Sequence, residues 1–163
     1  MVLSTHIVIA RAITKPLAAG SPILGFFVSW ASHYLSDLVP HWDYRLDSLI
    51  DEDPKTRAKK LRTRDALGDY IKVAFDALFG AVVAYLMVVP QTAHDWIYLG
   101  AVILGSVFPD FIQFLYYLTN WKFLKLFQDF QELLHTKIKL GPKPLIGIPF
   151  QAAIFLLAVF LTL

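Results

Sequence analysis

Five residues of this 163-residue chain combine type and placement as a divalent-metal site requires: His6, His33, Asp37, Asp76 and Asp110. The stretch "SHYLSDLVPHWD", residues 32–43, sets His33 and Asp37 four apart, on one face of a helix, and follows them with His41 and Asp43 around Pro40. Asp76 in "IKVAFDALFGAVVAYLM" and Asp110 in "VILGSVFPDFIQFLYYL" have apolar neighbours on both sides. A lone carboxylate at the centre of a membrane helix is unfavourable by about 2.5–3.5 kcal/mol, so such a residue faces a partner or water. Embedded cations are few (Arg11, Lys15 and Lys72), and several carboxylates beside neutral imidazoles are better balanced by a divalent metal. With no cysteine, the ligands are nitrogen and oxygen, a donor set that suits zinc first and manganese or iron(II) as alternatives. His41, Asp43 and His135 are candidate catalytic residues beside it, as general base or as partners that orient a ligand. Other roles stay open: His41, Asp43 and Asp69 also read as solvated helix-end caps, and Asp76 or Asp110 as a partner of Arg11. Glu132 and His135 form one Glu-x-x-His pair of the kind used in di-iron bundles.

The elements that must position these residues read as membrane helices. The chain is 56% hydrophobic and 15% aromatic, with a mean hydropathy of +0.54. Its apolar residues form blocks near the roughly 20 residues that a spanning helix needs. Segments 23–39, 70–89, 96–118 and 145–163 are expected to span. "VLSTHIVIARAIT" is a shorter N-terminal helix, with Ser4 or Thr5 as its cap and Pro16 as its stop. Residues 41–68 form a basic loop, 120–143 a basic segment holding an amphipathic helix, and the turn "PQTAHD" has neither Lys nor Arg. The positive-inside rule puts both basic segments and the N-terminus in the cytoplasm. The expected architecture is therefore all-α, one polytopic membrane domain over 1–163 with four transmembrane helices. A short N-terminal helix and an amphipathic helix on the cytoplasmic face or capping the bundle complete it. Four of the five histidines then fall at one leaflet; His94 does not. A net charge of +2 with basic residues in two clusters does not favour nucleic acid, and lipids are the expected surroundings.

"THIVIA", "GFFVSWASHYLSDLVPHWD" and "GSVFPDFIQ" together resemble the prokaryotic family of membrane-bound metal-dependent hydrolases, related by its His and Asp pattern to zinc-dependent phospholipase C-like proteins. The resemblance rests on His6, on Ser32, His33 and Asp37, and on Pro109 with Asp110. The order of the last two elements is reversed here, and the family's motif "HRGxTHS" is absent, leaving His135 as its substitute. The resemblance implies a metal site at the cytoplasmic face of the inner membrane and a hydrolase acting on a phosphorylated lipid or another membrane-associated phosphoester. The alternatives are a proton or metal-ion transporter using intramembrane Asp and His, and a non-catalytic protein that a metal stabilises.

Overall fold

The computed structural model describes residues 1–18, 20–50, 53–138 and 140–162. Among them the chain is all-α, without strands: α1 (Leu3–Leu17), α2 (Pro22–Asp37), α3 (Pro54–Leu61), α4 (Leu67–Met87), α5 (Ala93–Thr119), α6 (Lys122–Leu134) and α7 (Pro144–Phe160), with 3₁₀ turns at Asp47–Leu49 and Arg64–Ala66.

Among the described residues two helices are long and apolar enough to cross a membrane: Arg64–Met87, which runs through the second 3₁₀ turn into α4, and α5, of 24 and 27 residues. At 1.5 Å per residue they are about 36 and 40 Å long, against a hydrocarbon core of about 30 Å. Helices α2 and α7 have 16 and 17 residues, or about 24 and 26 Å. The four spans expected from hydropathy thus divide into two long helices and two shorter ones. Proline marks where the two shorter helices begin. Ser21 caps α2 by accepting from the Leu24 N–H, Pro22 opens that helix and Pro40 lies just past its end, while Pro144 opens α7.

Helix α1 starts earlier than the expected Ser4 or Thr5 cap. Val2 is its N-cap and offers no side-chain acceptor; the Ser4 N–H donates instead across the bundle to Asp76 Oδ2, at 3.4 Å. Nor does Pro16 stop the helix, which runs on to Leu17. The basic loop contains α3, capped by Asp53 and tied to the end of α5 by Arg62, which donates to the Leu118 carbonyl.

Helix α1 is the centre of the bundle, packed against α2, α4, α5 and α7. Two glycines let backbones approach. A Cβ on Gly105 of α5 would lie 2.3 Å from the Phe26 carbonyl oxygen of α2, and one on Gly80 of α4 would lie 2.5 Å from Ser4 Cα of α1. The Gly105 crossing joins α2 to α5 where His33 meets the Ser106 carbonyl, and the Gly80 crossing joins α1 to α4 where the Ser4 N–H meets Asp76.

Candidate metal centre

Helix α2 is polar inward and apolar outward. Ser29, Ser32, His33, Ser36 and Asp37 are buried in one stripe at helical spacing, while Ile23, Phe27 and Leu35 are exposed. Around that stripe α1 brings His6, the loop after α2 brings His41 and Asp43, α5 brings Asp110, and the residue after α6 is His135.

Each of three buried imidazoles has its Nδ1 committed to an oxygen. His33 Nδ1 donates to the Ser106 carbonyl at 2.7 Å, and His41 Nδ1 to the Val39 carbonyl at 2.7 Å. His6 Nδ1 lies 3.0 Å from Ser36 Oγ, whose own proton goes to the carbonyl of Ser32 or His33, so Ser36 accepts. A carbonyl can only accept, so the network puts a proton on Nδ1, and Nε2 is a bare lone pair in each ring that is neutral. All three Nε2 atoms are buried and none makes a hydrogen bond. They converge on Asp37, with His6 Nε2 3.2 Å from Oδ1, His33 Nε2 3.3 Å from Oδ2 and His41 Nε2 4.0 Å from Oδ1. The His6 and His33 rings stack at 3.8 Å.

A lone pair aimed at a buried carboxylate repels it unless a proton or a metal cation lies between them. Zinc bonds of 2.0–2.1 Å place tetrahedral ligand atoms about 3.3 Å apart, close to the separations found. Ligand atoms of His6, His33 and Asp37 all lie within 4.8 Å of one another, and so do those of Asp37, His41 and His135. These residues could hold one metal ion, or two that share Asp37. The Met1 amino group, 3.2 Å from Asp37 Oδ1 and 3.0 Å from Asp43 Oδ1, offers charge to the carboxylates but no proton to the imidazoles.

The remaining candidates fall around this centre at different distances. Asp110 Oδ1 is 3.7 Å from His33 Nε2 and accepts from Gln131 Nε2 at 3.2 Å. Pro109 has no N–H for the Gly105 carbonyl, which loosens α5 one turn before Asp110, where the Ser106 carbonyl takes the His33 proton. Asp43, 48% exposed, places Oδ2 3.2 Å from His41 Nε2. Burial works to raise its carboxyl; His41, when its Nε2 carries a proton, and the Met1 ammonium outweigh that and hold it well below the usual carboxylate range. His41, Asp43 and His135 line a cavity of about 230 Å³ with Thr136, Gly141 and Pro142, so the three expected catalytic residues share the mouth of the site.

Asp76 belongs to neither group of three. Its Oδ2 accepts from the Ser4 N–H and from Tyr44 Oη at 3.3 Å, which makes it a remote cap for α1. Burial and the Asp76 carboxylate push the Tyr44 phenol up. Arg11 pairs with neither Asp76 nor Asp110 among the described residues; its guanidinium lies over the Tyr98 ring at 5.5 Å. Glu132 is exposed and accepts from Gln128, so the Glu-x-x-His pair does not converge. His94 is exposed and hydrogen-bonded to the Gly20 carbonyl. Sequence reasoning missed Ser36, the Ser106 carbonyl and Gln131. Ser36 carried a signal, since it stands three residues after His33 on the same face; a backbone carbonyl carries none.

No family model, curated protein or solved structure matches the chain.

Proposed function

We propose that this protein is a membrane-embedded, divalent-metal-dependent hydrolase whose site lies at the cytoplasmic face of the inner membrane. The observation that carries the proposal is the set of three buried imidazole Nε2 atoms without hydrogen-bond partners around the buried Asp37 carboxylate. His6, His33 and Asp37 would hold the metal, zinc first by donor type, with Asp110 at its edge. A bound divalent cation supplies a water of lowered pKa and polarises the scissile group. Ser36, Ser106 and Val39 keep the imidazole lone pairs facing inward, as partners of ligating histidines do. Asp43 and His135 stand in the cavity where a substrate enters. Asp43, held ionised, would accept a hydrogen bond from an attacking water there and orient it.

A phosphoester carried by a membrane lipid suits a site at headgroup depth beside basic segments. The exposed apolar residues of α4, such as Phe75 and Leu86, support α4 and α5 as spans, with α2 and α7 completing a polytopic bundle. A transporter needs polar residues continuing through the bundle. Below His6 the buried residues are mixed, with Arg11, Thr14 and Ser29 beside the apolar clusters of Ile7, Ala84 and Leu99 and of Ala10, Ala18, Tyr98 and Val102, so flux measurement decides between the two readings.

Elemental analysis of mildly purified protein beside His33→Ala and Asp37→Ala variants tests this. Stoichiometric metal in the wild type and loss in both variants is expected. Metal-free wild type sinks the proposal, and metal retained by both variants sinks the ligand set. Turnover of model phosphoesters against metal flux in liposomes then separates hydrolase from transporter.

A further inference from the structure

Helix α6 presents three faces instead of two. Leu124, Gln128 and Gln131 are buried against the bundle. Phe123, Leu126, Phe130 and Leu133 form a second stripe, pointing outward, with Leu133 79% exposed. Lys122, Lys125, Asp129 and Glu132 form a third stripe beside it. At 100° per residue the apolar stripe is centred about 150° from the buried stripe and about 100° from the charged one. A helix at the rim of a water-soluble core buries its apolar stripe; this one buries two glutamines and leaves two phenylalanines and two leucines outside.

We infer that α6 lies in the plane of an anionic membrane surface, its apolar stripe in the boundary between headgroups and acyl chains, and that this seating holds Gln131 and His135 against the metal centre. The occupant follows from charge and continuity. Residues 120–143 carry five lysines against two carboxylates, which attracts anionic headgroups. Phe130 meets the Tyr34 ring edge-on at 5.0 Å, so the stripe adjoins the end of α2 where Leu35 and Leu38 are also exposed. The consequence for the site follows from three bonds. Gln131 donates to Asp110, the Thr136 N–H to the Asp37 carbonyl at 2.8 Å, and the Leu140 N–H to the His41 carbonyl at 3.3 Å. Displacing α6 strains all three. The seating stands on α6 alone; only its effect on the site rests on the metal proposal above.

The chain has no cysteine, so single-cysteine variants of the full-length protein can each be spin-labelled. Phe123→Cys, Leu126→Cys and Leu133→Cys report the apolar stripe; Lys122→Cys and Asp129→Cys report the charged one. In phosphatidylcholine vesicles containing phosphatidylglycerol, labels on the apolar stripe should be relaxed by oxygen and shielded from a water-soluble nickel chelate, with the opposite pattern on the charged stripe. Nickel access at all five positions overturns the seating. Spin–spin broadening on the apolar stripe overturns it in favour of a second copy of the chain. Omitting phosphatidylglycerol should raise nickel access at the apolar stripe severalfold; no change overturns the role of anionic lipid. Cobalt(II) titration of the unlabelled protein, read by d–d absorption, should show affinity about tenfold weaker when phosphatidylglycerol is omitted and in Leu126→Glu/Leu133→Glu. Unchanged affinity in both overturns the coupling. Absence of cobalt binding in every vesicle overturns both coupling and the metal proposal, while the label depths still decide the seating.

Discussion

Asp37 and Asp69 are both buried carboxylates at helix ends, 2% and 5% exposed, yet their surroundings are opposite. Asp69 Oδ2 accepts from the Ser48 N–H and Ser48 Oγ, both at 2.7 Å, and its Oδ1 accepts from Lys72 Nζ at 3.0 Å. Every donor is aimed at an oxygen, and the result is a clasp between the first 3₁₀ turn and the start of α4. Asp37 Oδ1 accepts from the Met1 ammonium at 3.2 Å, while the three imidazole Nε2 atoms near the carboxylate make no hydrogen bond among the described residues. A buried carboxylate whose lone pairs are satisfied is scaffold. One ringed by unsatisfied lone pairs is a place for a cation.

Substitutions can break or sharpen that contrast. The largest effect is expected from Asp37→Ala or His33→Ala, which should weaken metal binding by more than about 100-fold in a competitive chelator titration, beyond the loss usual for outer-shell partners. Asp69→Ala should leave metal stoichiometry intact and lower unfolding stability by about 2–3 kcal/mol in detergent, since buried donors lose a charged acceptor. If Asp69→Ala also strips the metal, the two sites are not separable as argued. Gly105→Ala should cost about 1–3 kcal/mol, because its Cβ meets the Phe26 backbone, which cannot rotate away. Metal occupancy should fall with it as α2 and α5 part. Ser36→Ala removes the acceptor for His6 Nδ1 and should weaken metal binding about tenfold, with recovery in Ser36→Thr. The smallest effect is expected from Asp76→Asn, a loss of about 0.5–1 kcal/mol with metal binding unchanged, because the side chain keeps an oxygen for Ser4 and Tyr44.

Much of the candidate site was legible because helical spacing is a local rule. The i, i+4 pair of His33 and Asp37 lies on one face in any helix, and His6 followed from its place in a short apolar segment. Asp76 was misleading for a physical reason. An acid among apolar residues reads as a functional group when its partners are backbone N–H groups of a distant helix, and no sequence pattern announces those. His135 looked like part of a Glu-x-x-His pair, but Glu132 turned to Gln128 and His135 joined Asp37 and His41 instead. Span number was only partly legible, since hydropathy measures apolar runs and does not say where a helix starts and stops: Pro22 and Pro144 open helices, while Pro16 and Pro109 lie inside them.

Periodicity and composition by themselves determined that this chain forms apolar helices, that α6 is amphipathic and that metal ligands, if any, are nitrogen and oxygen. They act through neighbours three or four residues apart, which the sequence states directly. Only the tertiary structure decided which polar residues meet. The glycine crossings join α2 to α5 and α1 to α4, backbone carbonyls orient the His33 and His41 imidazoles, and α6 turns its glutamines inward. Each depends on contacts between residues far apart in the chain, such as His33 with Ser106 and Gln131 with Asp110, and those are set by packing.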